Sequence, residues 1–390
     1  MNKAVVLGTN YYIGLSTVRN LGRNGVHVVS VDYAPSHYGV SKYVSERLIA
    51  PHYEKEEAQL VDFLIDYAKK QKEKPVLIPT ADLYVSFMEK NFDVLKAYYL
   101  WPNDKKGLYA ELSDKETLLK YTEPLGIPTP EIIPMDTDNL EEVVSENLGF
   151  PCVIKPRDSM PFVNRFREKM FMVHSRSELT TKMALCRQEG FDVFVQRIVM
   201  GPESNCYSFD VYMQDGEAKS YLTTSKIRQW PNNFGASTYA KQEYIPELYD
   251  LCMPLFKTVD YQGFAEVELK RDQRNNTIYL VEVNVRFVNF VEMHCHLGMN
   301  TPMMYYNHAI GKPVSGVKLK HNTETYWKYL YEDIPSIKNY LKTGQMTLPD
   351  ILKTFRLKKV ASTFAWDDLG PGWTFFTWAV TNKFKRLFKQ

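Results

Sequence analysis

The sequence predicts an α/β protein of more than one packed unit: a parallel N-terminal α/β layer, a small central α+β segment, a C-terminal antiparallel sheet acting as a lid, and a helical tail. Three observations carry this expectation. Strand and helix patterns alternate over the first hundred residues, as they do in a parallel sheet covered on both faces. From about 200 to 285, strand patterns follow one another almost without helices, as in an antiparallel sheet. At 390 residues the chain exceeds what one core ordinarily organises, so two or three units are expected.

Ala4 to Leu7 is an apolar run stopping at Gly8, and Gly14 opens a helical stretch to Leu21. A second strand, Val26 to Val31, ends at Asp32, and a third, Val76 to Pro79, lies between helical patterns at 55–72 and 83–96. Gly8 and Gly14 stand alone, without the G-x-G-x-x-G spacing that would make Asp32 the ribose ligand of a dinucleotide. The helix start behind them is either an anion site suited to a substrate carboxylate or a plain tight turn. Asp82, at the C-terminal end of the third strand, is either a ligand residue or a helix N-cap. Ser113-Asp114-Lys115-Glu116 has the form of a capping box, so a helix starts there. Residues 127–200 alternate strand, helix, strand, hairpin, helix and strand, and the chain past 320 is helical. The expected divisions are 1–112, 113–315 (central part to about 192, C-terminal part from about 193) and 316–390.

Lys+Arg 48 against Asp+Glu 46 leaves a charge of +2, which implies no nucleic-acid partner. Five scattered cysteines form neither a disulfide framework nor a zinc cluster and suit a reducing compartment. The N-terminus runs directly into a strand pattern with no leader, and no stretch is apolar for the roughly 18 residues a membrane span needs. The expectation is a cytoplasmic protein.

The chemistry concentrates in four segments. Phe150 to Pro156 is a buried strand pattern ending in Lys155, a cation placed where a sheet opens; alone it reads as a solvated strand-end lysine. Lys169 leads into another strand, and between the two lies Arg157-Asp158-Ser159, a polar turn able to offer N–H groups to phosphate oxygens. Phe194 to Glu203 would present strand backbone to an adenine edge, with Glu203 placed for ribose hydroxyls. Glu268 and Glu282 fall near the ends of two neighbouring strands, and Asn284 and Arg286 keep the parity of Glu282. Three oxygen donors on one sheet face make a hard-cation site, although paired carboxylates on an exposed strand face are also common.

In this order the segments resemble the ATP-grasp superfamily over roughly residues 1–315, and within it the carboxylate–amine ligases related to D-aspartate ligases. The resemblance implies ATP and two Mg²⁺ as cofactors and a small-molecule carboxylate and amine as substrates. It implies that Lys115 and Lys155, with Ser159 and Lys169, hold the phosphates, that Gln196 and Ile198 line the adenine, and that Glu203 meets the ribose. Glu268, Glu282 and Asn284 would bind the metals, while Arg228 and Arg286 would face the γ-phosphate and the acyl-phosphate. One departure stands out: no glycine occurs between Lys155 and Lys169, so a phosphate loop there closes on Ser159, Met160 and Asn164.

His294-Cys295-His296 would align two imidazoles on a strand, but no third ligand lies nearby, and local packing is the better reading. Trp373, Phe376, Val380, Phe384 and Leu387 recur at helical spacing beside Lys383, Lys385, Arg386 and Lys389. That tail, 373–389, reads either as a peripheral membrane contact or as a helix docked on the protein's own core. A nucleotide-dependent oxidoreductase would need the glycine fingerprint this chain lacks. A non-catalytic scaffold would be expected to have lost a metal ligand or a phosphate lysine, and none is missing.

Overall fold

The computed structural model describes the backbone of every residue except 356 and 388–390, and every side chain except those four, 159, 160 and 382–387. Two compact units result: residues 1–121, 202–268 and 282–390 form the larger, and 122–201 with 269–281 the smaller. The division is two-part rather than three-part because the first α/β layer shares one core with later segments of the chain. Val5, Leu15 and Leu77 belong to the same cluster as Tyr212, Phe290, Trp327 and Phe375.

In the larger unit, β1 (Ala4–Leu7), β2 (Val28–Asp32), β3 (Glu46–Ile49) and β4 (Val76–Pro79) form a parallel sheet in the order β3-β2-β1-β4. The helices α1 (Tyr12–Arg23) and α2 (Glu57–Lys69) follow β1 and β3. Strands β1, β2 and β4 are buried throughout, as continuous β-branched runs in a covered parallel sheet should be. The single helix expected over 83–96 breaks at Asn91 into α3 (Asp82–Lys90) and α4 (Phe92–Lys96). Gly8 sits at φ +87°, and a Cβ on Gly14 would lie 2.4 Å from the Gly8 carbonyl oxygen, so both glycines are demanded by the turn itself. Two further helices, α5 (Leu108–Ser113) and α6 (Lys115–Thr122), meet at Asp114. Asp114, not Ser113, caps α6: its carboxylate accepts from the Glu116 and Thr117 amides at 3.1 and 2.9 Å.

The smaller unit is an antiparallel sheet of β5 (Ile132–Pro134), β6 (Cys152–Pro156), β7 (Phe171–Val173) and β8 (Val193–Arg197) in the order β5-β8-β6-β7. With it come α7 (Leu140–Asn147), α8 (Ser159–Phe166) and α9 (Arg176–Gln188). The stretch expected to be an open phosphate loop is largely α8. Phe162 is fully buried there against Phe166, Phe171 and Phe191, with centroids 4.7–5.3 Å apart. Without glycines the segment folds as an amphipathic turn pinned by aromatic packing.

A seven-stranded sheet completes the fold: β9 (Cys206–Gln214), β10 (Glu217–Trp230), β11 (Ala236–Gln242), β12 (Gly263–Arg271), β13 (Ile278–Asn284), β14 (Tyr326–Lys328) and β15 (Lys359–Ala361), ordered β13-β12-β9-β10-β11-β14-β15. α10 (Glu247–Thr258), α11 (Val291–His296) and α12 (Thr301–Ala309) accompany it, followed by α13 (Leu330–Lys342), α14 (Leu348–Phe355) and α15 (Leu369–Leu387). The pairing of β10 shifts register at three places: between Ala218 and Ser220 against β9, and between Lys226 and Arg228 and again between Arg228 and Gln229 against β11. At the second of these Lys226 opposes Ala240 but Arg228 opposes Tyr239, so Ile227 is an extra residue. The bulge inverts the side-chain alternation beyond it. The chain between β15 and α15 is bound to α1 by a fully buried Arg19–Asp368 ion pair at 2.9 Å and by Arg23–Asp367 at 2.8 Å.

Candidate active site

The donors expected to hold metal all lie in the larger unit, at the β12–β13 edge of its sheet. Glu266 and Glu268 share one face of β12, and Glu282 and Asn284 share one face of β13. Each outer carboxylate is met by a lysine: Lys226 Nζ lies 2.7 Å from Glu268, and Lys115 Nζ 3.2 Å from Glu282. The Asn284 amide donates to Glu266 at 2.9 Å, which leaves its carbonyl oxygen as the free end. Burial, with Asp210 and Glu268 close by, pushes the Glu266 carboxyl well above the usual carboxylate range. Burial works against charge on Lys226 as well, but Glu268 and Glu266 hold its ammonium above the ordinary lysine value.

These residues fit Mg²⁺. Two carboxylates and an amide oxygen are hard donors, although among the described residues no group of three His, Cys, Asp or Glu is placed to hold a metal ion by itself. An ion that takes one or two carboxylates and completes its octahedron with phosphate and water needs such a partial set. Glu266 and Lys226 were not singled out from the sequence. Glu266 lies two residues before Glu268 and so shares its face, which was a usable signal; Lys226 had none, because its partner is 42 residues away.

Arg286 forms a two-pronged pair with Asp82 at 2.7 and 2.8 Å. Asp82 is therefore the acidic first-turn residue of α3 and a tether for Arg286; Ala81, not Asp82, occupies the N-cap position. Arg228, expected beside Arg286 at the γ-phosphate, is instead on the opposite sheet face. It is buried, bonded to Asp333 through two nitrogens at 2.7 Å each, and its guanidinium carbon lies 4.3 Å from the Tyr239 ring centre. The bulge at Ile227 is the cause: it turns Arg228 away from the face that carries Lys226. Glu203 is also enclosed, accepting from the Asn233 amide at 2.9 Å. His294 lies on α11, not on a strand, so its ring and that of His296 diverge. His294 is buried 3.4 Å from Asp210, whereas His296 is exposed.

In the smaller unit, Lys155 on β6 donates to the Gln196 side chain on β8 at 2.7 Å. Gln196 is flanked by partners on both sides, Ile132 and Val153, so its backbone belongs to the sheet. The segment after β8 is fixed by Asp272, which accepts from the Met200 amide at 3.3 Å, and by Arg274, which donates to the Ile198 carbonyl at 3.1 Å. Lys169 is exposed just before β7, and Ser159 begins α8, its side chain lying outside the described residues.

A parallel α/β layer, a small antiparallel sheet and a large antiparallel sheet edged with carboxylates define the class: this is the ATP-grasp fold. Particular relatives sharpen it. The chain is 22% identical over 268 residues to the D-aspartate ligase of Enterococcus faecium, covering 65% of this chain and 63% of that one. It is 21% identical over 198 residues to the D-alanine–D-alanine ligase of a Thermoanaerobacter species, covering 44% of this chain and 50% of that ligase. The match thus spans less than two thirds of either curated relative. No family model matches.

Among solved structures, N5-carboxyaminoimidazole synthetase from Staphylococcus aureus complexed with ADP aligns at a TM-score of 0.61 and 13% identity, over 81% of this chain and 79% of that one. The L-amino acid ligase of Bacillus licheniformis aligns at 0.61 and 14%, over 80% and 75%. The biotin carboxylase domain of Hydrogenobacter thermophilus 2-oxoglutarate carboxylase gives 0.63 and 14%, over 84% and 73%. These likenesses show the fold. The curated relatives add that the chain is similar in sequence to a D-aspartate ligase.

Proposed function

We propose that this chain is an ATP-dependent carboxylate–amine ligase that forms an amide through an acyl-phosphate, with D-aspartate and a peptidoglycan precursor as the first substrate pair to test. The observation that carries the reading is the pair of lysine-held carboxylates, Glu268–Lys226 and Glu282–Lys115, flanking Asn284 in an ATP-grasp fold. Each pair is poised to exchange partners, the carboxylate turning to a cation and the lysine to a phosphate. Mg²⁺, when bound, draws charge from the phosphate oxygens.

Lys155, Lys115 and Lys226 neutralise the triphosphate, and Arg286 takes the transferred phosphoryl when it leaves Asp82. A substrate carboxylate oxygen bonds to the γ-phosphorus as the bond to the bridging oxygen breaks, releasing ADP. The amine nitrogen then bonds to the acyl carbon, loses a proton, and phosphate departs. Two Mg²⁺ ions and the roles of Lys169 and Ser159 at the phosphates, Gln196 and Ile198 at the adenine, and Glu203 at the ribose belong to the same proposal. Arg228 does not, because Asp333 occupies its guanidinium.

A ligase for another small amino acid or a peptide uses the same groups, and the likeness to an L-amino acid ligase favours it as the second reading. We place the enzyme in the cytoplasm, in contact with the inner face of the membrane through 373–389. The deciding experiment measures ADP release from purified protein over a matrix of carboxylates and amines with Mg²⁺. Amide formation with matching ADP release supports the reading, and absence of ADP release with every pair refutes it.

A further inference from the structure

The C-terminal helices leave far more apolar surface uncovered than the rest of the molecule. Among the described residues, 21 large hydrophobic side chains are exposed, and 13 of them fall within residues 330–380. They are ordered. α15 shows Leu369, Trp373, Phe376 and Val380 along one stripe, α14 shows Leu348, Leu352 and Phe355, and α13 shows Leu330, Ile334 and Leu341. The opposite face of α15 is used internally: Phe375 stacks on Tyr38 at 5.5 Å, and Trp378 lies 4.7 Å from His37. The two readings of the tail are therefore compatible, because the face packed internally and the exposed stripe are different faces of one helix.

The start of α13 reaches the same helix, with Tyr331 at 5.3 Å from Phe375. Beside α15, Phe364 packs over Gly372 and Trp366 is 95% exposed. Charge is equally uneven. Residues 330–390 hold ten Lys and Arg against five Asp and Glu, a surplus of five in a chain whose total is +2. Three of those five acids are engaged elsewhere: Asp333 with Arg228, Asp367 with Arg23 and Asp368 with Arg19.

We propose that α13, α14 and α15 together form a docking face for an anionic lipid bilayer, with the aromatic and aliphatic stripes entering the headgroup boundary and the lysines meeting lipid phosphates. This rests on the membrane contact assigned above to 373–389 and extends it to a three-helix surface. A second copy of the chain is a poorer occupant, since it would bring an equal cationic surplus to the same face.

Flotation of full-length protein with phosphatidylcholine vesicles, with and without phosphatidylglycerol, tests it. The expectation is binding only to the anionic vesicles, weakened by salt. Both Leu348→Ser/Leu352→Ser/Phe355→Ser and Trp373→Ser/Phe376→Ser should then lower partition by roughly tenfold or more, from lost apolar burial. Lys353→Glu/Lys358→Glu, which leaves packing alone, should lower it as well. If wild type binds and only the α15 variant fails, the tail contact stands and the three-helix face is overturned. If wild type ignores anionic vesicles, both fall. Self-association by light scattering that disappears in the α14 variant, without vesicle binding, would assign the face to a second copy and overturn the proposal.

Discussion

The two faces of the seven-stranded sheet each bury a charged cluster, and the clusters differ in how far they are closed. On one face Arg228 bonds Asp333 twice, lies over Tyr239, and shares Asp333 with the Thr238 hydroxyl at 3.0 Å. Both partners are almost fully shielded, at 1% and 5% side-chain exposure. On the other face Lys226 is equally enclosed, yet its partner Glu268 is 34% exposed and Glu282 is 39% exposed. The first cluster has no valence left for a ligand and reads as structure. The second is charge-balanced but open at its rim, where the proposed reading would have a cation and a polyphosphate exchange for the lysines. Similar residue types within three positions on one strand thus take opposite roles, decided by saturation rather than by identity.

The largest effect expected is on the open cluster. Glu282→Ala should cut Mg²⁺-dependent ADP release by roughly a thousandfold, the scale of losing a metal-held charge in the transition state, with little change in melting. Activity within a few-fold of wild type would remove the site. Arg228→Met should do the reverse. Stranding Asp333 in a buried position costs about 3–5 kcal/mol of stability by denaturant titration, while the folded fraction keeps its turnover. The comparison fails if Arg228→Met lowers turnover at full folding.

In the smaller unit, Lys155→Ala should weaken binding of a non-hydrolysable ATP analogue by about tenfold in calorimetry, a charged hydrogen bond being lost. Unchanged affinity would make Lys155 a strand-end lysine held by Gln196. The smallest effect is at Asp272, whose carboxyl the Arg274 guanidinium holds down to about 2. A depressed acid contributes stability above its unfolded value near 3.9 and loses it as pH falls through the folded value. Asp272→Asn should therefore cost about 1 kcal/mol at neutral pH, discounted because Arg274 is half exposed, and the gap to wild type should close between pH 4 and 2. A gap that is constant with pH would sink this assignment.

Much of the architecture was readable because it follows from local periodicity. Three of the four strands of the parallel layer, β8, and the E-x-N-x-R strand end come from apolar runs stopping at Gly, Pro or a charge. What escaped depends on distant partners. The bulge at Ile227 has no signature in Lys226-Ile227-Arg228, yet it decides which of two cations reaches the carboxylates. The α8 turn is held by Phe171 and Phe191, outside its own sequence. His294 was placed on a strand because His-Cys-His alternates, but the Phe290 carbonyl accepts its amide at 2.8 Å in a helical turn. The cap at Asp114 was one residue off, since Ser and Asp compete for the same role and α5 claims Ser113.

The Arg19–Asp368 pair has a consequence for synthesis. The first helix of the chain has a guanidinium whose carboxylate partner lies 349 residues downstream. At roughly 5–20 residues per second a ribosome delivers that partner about 17–70 s after Arg19 has been made. Throughout that interval Arg19 lacks the Asp368 carboxylate, and Tyr38 the Phe375 ring, that pack on them in the finished fold. The chain thus completes its oldest layer with some of its newest residues.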